Sequence, residues 1–132
     1  MEFVDTNVFL RFLLADHPTH SSRSAKLFQA AKNGQVKLWT TEWVISEIIW
    51  VLESSKHPKT FIIETIKKIL NTSELQVNNK DLVFEAIGLY ETLNIEFEDA
   101  LNCLLARKNH IASAYSYDPH LSRVSWIKRK LP

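Results

Sequence analysis

At 132 residues the chain is long enough to bury a core, and 45% hydrophobic residues put it among chains that fold, here as one expected domain, 1–132. A formal net charge of +1 excludes a globally basic polyanion binder but not a local patch. The single cysteine, Cys103, excludes an intrachain disulfide and a multi-cysteine zinc site, and only 2 glycines argue against glycine-rich phosphate loops. Phe3 and Val4 form a short apolar strand that Asp5 ends. Thr6 and Asn7 are helix-capping types, and Val8, Phe9, Phe12 and Leu13 recur at helical spacing. Asp16-His17-Pro18 breaks that helix, Pro18 starts a second, and Asn33-Gly34 stops it. Lys37 to Thr40 is a short strand, followed by a helix from Glu42 to about Ser54 and a fourth carrying Phe61, Ile62, Ile66, Ile69 and Leu70. Leu75 to Val77 is a strand, and Asn79 or Asp81 caps a fifth helix. The sixth helix is expected over Glu98–Lys108, a strand over Ala112–Tyr117 ended by Asp118, and an edge strand over Val124–Ile127 before a basic tail.

Short strands alternating with long helices imply crossover connections and a parallel sheet, an α/β fold. In such sheets ligands bind at the carboxyl ends of the strands, where Asp5 and Asp118 stand. If their strands are neighbours, the two aspartates converge. The chain opens Met-Glu without a basic-then-apolar leader, and no apolar run is long enough for a bilayer, so a cytoplasmic location with no membrane partner is expected.

Two further acids stand in informative places. Val44, Glu47, Ile48 and Val51 follow i, i+3, i+4, i+7, which sets Glu47 in an apolar stripe, where its charge needs an arginine, a proton or a metal. The plainer alternative is a helix apolar nearly all round, with Glu47 on its one wet side. Asp99 lies in the first turn of the sixth helix beside Glu96 and Glu98, and any of the three could serve the helix dipole. Asp5 could be only a cap, and Asp118 only part of an Asp-Pro turn. Taken together, four carboxylates are hard oxygen donors that suit Mg²⁺ or Mn²⁺ and not zinc. Divalent ions held by carboxylates typically serve phosphoryl chemistry, and with no nucleophile beside a base, hydrolysis by metal-bound water is the reaction that fits.

The blocks Val4-Asp5-Thr6-Asn7-Val8-Phe9-Leu10-Arg11-Phe12-Leu13, Ser46-Glu47-Ile48-Ile49-Trp50-Val51-Leu52, Asp99-Ala100-Leu101 and Ser116-Tyr117-Asp118 occur in this order. The chain resembles PIN-domain ribonucleases, especially the VapC toxins of bacterial toxin–antitoxin pairs. The resemblance implies a PIN-like three-layer α/β/α fold with a short-stranded central parallel sheet. It also implies an acidic pocket of Asp5, Glu47, Asp99 and Asp118 that binds Mg²⁺ or Mn²⁺ and cleaves RNA, with Asn7 and Ser116 as polar support. A homodimer and a small antitoxin protein are the implied partners. Three positions depart from the family. A further acid and a phenylalanine often follow the fourth aspartate, where this chain has His120 and Leu121, and a second glutamate often stands where it has Ile49.

Among the basic residues, Arg11 and the tail Lys128-Arg129-Lys130 are candidates for RNA phosphates, while Arg107 and Lys108 suit a helix C-terminus. Trp43 and Trp50 share a helix face and point to a core or a partner interface. Phe9, Phe12, Leu13, Ile48, Ile49, Trp50 and Val51 are a large apolar load that suggests an interface. A phosphatase of the haloacid dehalogenase type also opens with a strand and an aspartate, but it usually has a second acid where this chain has Asn7. A binding module that keeps the fold without the metal is the reading from another class.

Overall fold

The computed structural model describes residues 1–132, which divide into two compact units, Met1–Lys80 and Asp81–Pro132. No helix is long and apolar enough to cross a membrane.

The first unit runs β1 (Glu2–Phe3), α1 (Thr6–Leu14), α2 (Pro18–Lys32), β2 (Leu38–Thr40), α3 (Glu42–Ser54), α4 (Lys59–Leu70) and β3 (Leu75–Val77). Its strands form a parallel sheet in the order β1-β2-β3, with Phe3 opposite Trp39 and Thr40 opposite Val77. Leu38, Ile45, Ile48, Ile49, Leu52, Ile62, Ile66 and Leu70 are buried. Each such side chain contributes about 1.5–3 kcal/mol, so the unit is held chiefly by the inner faces of α3 and α4. The fully buried Thr40 hydroxyl donates to the Val4 carbonyl at 2.9 Å, and the Val4 amide donates to the Trp39 carbonyl at 2.8 Å. These two bonds fix the strand end from which Asp5 projects.

The start of α3 is tied to the end of the unit. Thr41 caps it by accepting from the Val44 amide, and the Glu42 carboxylate accepts from the side-chain amides of Asn78 at 2.9 Å and Asn79 at 3.1 Å. Burial works against the Glu42 charge, but its backbone amide and the two asparagines prevail and hold the carboxyl below the ordinary range. This clamp therefore stabilises above the usual carboxylate pKa and is lost as pH falls through the lowered one.

The second unit runs α5 (Lys80–Leu93, whose first residue lies at the boundary), α6 (Phe97–Lys108), β4 (Ser113–Tyr115), a 3₁₀ turn (Pro119–Arg123) and β5 (Lys128–Lys130). Its core includes Val83, Ile87, Tyr90, Phe97, Leu104 and Val124, with Cys103 buried as a small apolar residue. Arg107 at the end of α6 does more than meet the helix dipole. It pairs with Glu85 at 2.7 Å and lies 4.3 Å over the Trp126 ring, whose Nε1 donates to the Cys103 carbonyl.

The mixed α/β class with parallel strands is as the sequence predicts. Three local expectations change. Asp5, not Thr6 or Asn7, occupies the cap position of α1, and Thr6 is its first residue. The expected last strand over Val124–Ile127 is a turn-containing segment whose buried Val124 and Ile127 are spaced by three, a spacing no flat strand puts on one face. The expected tail Lys128-Arg129-Lys130 is instead strand β5, paired in parallel with β4. The parallel pairing also falls in two sheets: β1 pairs with β2 and β4 with β5, so Asp5 and Asp118 follow strands that are not neighbours.

Candidate active site

In the first unit, Asp5 sits at the α1 cap with extended backbone (φ −82°, ψ 161°) and makes no side-chain cap bond. An aspartate in that place ordinarily spends its carboxylate on a backbone amide. Here the carboxylate is exposed and uncommitted to the helix, so the cap reading does not account for it. Asn7, the second residue of the same helix, is also exposed.

Glu47 corrects one expectation. Val44 and Ile48 are buried, but Glu47 is exposed and lies on the outer face of α3 with Trp43 and Trp50, which are 72% and 65% exposed. The helix is apolar nearly all round, so its i, i+3, i+4 pattern did not select a single face. The Glu47 carboxylate is nonetheless held: the buried Thr6 hydroxyl donates to its Oε2 at 2.8 Å. This bond joins residues 41 positions apart and orients the acid next to the residue that follows Asp5. Thr6 is a functional candidate that the sequence left as a helix-start residue. The tryptophans do not enter the core, and of the expected interface residues Phe9, Ile48 and Ile49 fill it instead.

In the second unit, Asp99 is half-buried in the first turn of α6. Burial pushes its carboxyl up, and the negative charges of Glu96, Asp118 and Glu98 push it further, against the smaller opposing influence of His120. Asp99 and Asp118 are thus near enough to feel each other. Asp118 caps the 3₁₀ turn, its Oδ1 accepting from the His120 amide at 2.9 Å, with His120 Nδ1 at 3.4 Å. The Ser116 hydroxyl accepts from the Asp118 amide at 3.0 Å and so fixes the bend that presents this acid. His120 thus meets the same Asp118 oxygen with its ring and with its backbone amide.

In neither unit do three His, Cys, Asp or Glu side chains gather closely enough to enclose a metal ion. The donor chemistry still fits a hard cation. Mg²⁺ takes one or two carboxylates and keeps several waters. Each unit offers two such carboxylates with polar groups that orient them, Thr6 for Glu47 and Ser116 for Asp118.

The basic candidates separate. Arg11 is engaged with Asp16 at 3.1 Å. The Arg129 guanidinium donates to the Ser116 carbonyl at 3.0 Å and to the Ser122 hydroxyl at 3.1 Å. Lys128 and Lys130 are exposed.

The PIN-domain family model matches residues 3–127, and the chain belongs to that family. It is similar to a VapC ribonuclease of Aquifex aeolicus (strain VF5), with 28% identity over 127 residues, 96% of this chain and 93% of that protein. Among solved structures it is similar to the Mycobacterium tuberculosis toxin VapC20, a sarcin–ricin-loop-cleaving toxin, at 18% identity and a TM-score of 0.45 over 97% of this chain and 98% of that one.

Proposed function

We infer that this chain is a Mg²⁺- or Mn²⁺-dependent endoribonuclease of the VapC kind, the toxin of a toxin–antitoxin pair. Asp5, Glu47, Asp99 and Asp118 are its metal-holding acids, with Asn7 and Ser116 in support. The observation that carries the reading is the state of Asp99. The fold half-buries a carboxylate among other carboxylates and raises its pKa, a cost that a bound cation offsets. A divalent ion bound to such acids supplies stabilisation of the charge that builds on a phosphate and lowers the pKa of the attacking water. The chain's own part is to fix the donors: Thr6 holds one oxygen of Glu47, and Ser116 holds the backbone of Asp118. The similarity to a VapC ribonuclease over nearly the whole chain supports RNA as the substrate. The test is incubation of purified protein with labelled RNA. Cleavage with Mg²⁺ or Mn²⁺ that stops with EDTA is expected, and cleavage that persists in EDTA would sink the metal-dependent reading.

Trp43 and Trp50 are exposed on one face of α3, an apolar exposure that suits a second copy or a small antitoxin protein. The purified chain is expected to be a homodimer at micromolar concentration. Sedimentation that finds only the 15.3 kDa species across that range removes the dimer.

A further inference from the structure

We propose that the β4–β5 ribbon is a track for single-stranded RNA, on which Tyr115 and Tyr117 stack bases while Lys128 and Lys130 hold phosphates, leading the strand to Asp118. The proposal rests on the ribonuclease reading and adds to it where the substrate lies.

Pairing in the ribbon is parallel, with Ser113 opposite Lys128, Ala114 opposite Arg129 and Tyr115 opposite Lys130. Directly opposed residues of neighbouring strands face the same way, and strands lie about 4.8 Å apart. Tyr115 and Lys130 therefore stand side by side on one face, with Lys128 one two-residue repeat away, about 6.6 Å. Alternation turns Arg129 to the opposite face, where its guanidinium is occupied by the Ser116 carbonyl and the Ser122 hydroxyl. The three cations thus have two tasks. Lys128 and Lys130 present charge to solvent, and Arg129 braces the segment that carries Ser116 and Asp118.

The aromatic residues complete the pattern. Tyr115 is 73% exposed and Tyr117 80% exposed. Tyr117 immediately precedes Asp118. Aromatic faces beside cations are what sequence-tolerant binding of single strands uses, since every base has a π-face and every linkage a negative charge. The ribbon also runs into the acid: the Ser116 amide donates to the Lys130 carbonyl at 3.0 Å, and the Ser116 hydroxyl accepts from the Asp118 amide. A strand held on Tyr115 and Lys130 is therefore anchored through the same backbone that positions Asp118.

The experiment measures binding apart from cleavage. A fluorescein-labelled 12-nucleotide single-stranded RNA containing all four bases is titrated with protein in EDTA, by anisotropy, at several salt concentrations. Tyr115→Ala is expected to weaken binding roughly ten- to a hundredfold, and Tyr115→Phe to retain it. Lys128→Gln and Lys130→Gln are each expected to lower the salt slope by about one, while Lys67→Gln on α4 leaves it unchanged. Parental affinity in Tyr115→Ala, equal losses in Tyr115→Phe and Tyr115→Ala, or unchanged slopes in both ribbon lysine variants overturns the track. So does a Tyr115→Ala variant that binds RNA normally but changes sedimentation mass, which makes the ribbon a protein interface. If the parent cleaves RNA with Mn²⁺ while the binding results fail, the track is wrong and the nuclease reading stands. If binding behaves as expected but the parent cleaves nothing with either metal, the nuclease reading fails instead.

Discussion

Asp118→Asn and Asp5→Asn are each expected to lower RNA cleavage at least about a hundredfold, because loss of a group that merely orients a metal ligand already costs about 10- to 100-fold. The substitutions separate chemistry from fold. Asp118 accepts from the His120 amide, and an asparagine oxygen can accept the same bond, so the 3₁₀ turn keeps its cap while the charge is lost. Asp5 makes no side-chain cap bond, so no hydrogen bond of α1 depends on its carboxylate. Far-ultraviolet dichroism should therefore be unchanged in both. Thr6→Val provides a third variant. It removes the donor to Glu47 without touching an acid, and a loss of about 10- to 100-fold is expected if that bond orients a ligand. Full activity in Asp5→Asn or Asp118→Asn, assayed with Mg²⁺ or Mn²⁺, would place the active centre elsewhere.

Metal-free Asp99→Asn is expected to melt above the metal-free parent at neutral pH. Burial raises the folded-state pKa of Asp99, and Glu96, Asp118 and Glu98 raise it further. A raised carboxylate pKa means that stability is fullest at low pH and is lost as pH rises through the raised value. Asparagine removes the ionisation, so the gain should appear at neutral pH and vanish at acid pH, where the parent's carboxyl is protonated. An acid in the first turn of a helix contributes about 0.3–1 kcal/mol in the opposite sense. The sign of the difference therefore shows which influence wins. Mn²⁺ binding only to the folded state stabilises the parent by about 2.7 kcal/mol at a concentration 100 times its Kd, and the mutant should lose most of that response. Four melting curves, for parent and mutant with EDTA and with Mn²⁺, decide the matter. If the mutant melts lower without metal and responds to Mn²⁺ as the parent does, Asp99 serves only the helix start, and Glu96 or Glu98 takes its place in the acidic set.

Much of this protein was legible along the chain because its signals are local. A short apolar run followed by Asp5 and a helical repeat needs only neighbouring residues to be read, and so do the breaks at Asp16-His17-Pro18 and Asn33-Gly34. Asp5, Glu47, Asp99 and Asp118 are likewise read along the chain, and their oxygen-only chemistry is the basis on which a hard cation is proposed. Other features lie in tertiary contacts that no local pattern encodes. Glu47 could be placed in either of two settings, because α3 is apolar on most sides and a stripe has meaning only when the opposite face is polar. The burial of Val44, Ile45, Ile48 and Ile49 turned Glu47 outward, and a hydroxyl 41 residues away gave it a partner. Lys128-Arg129-Lys130 has the composition of a solvated tail, and it became a strand only because β4 supplied backbone partners. The same pairing set Tyr115 beside Lys130 and turned Arg129 to the other face, a division of labour fixed by strand register and not by composition.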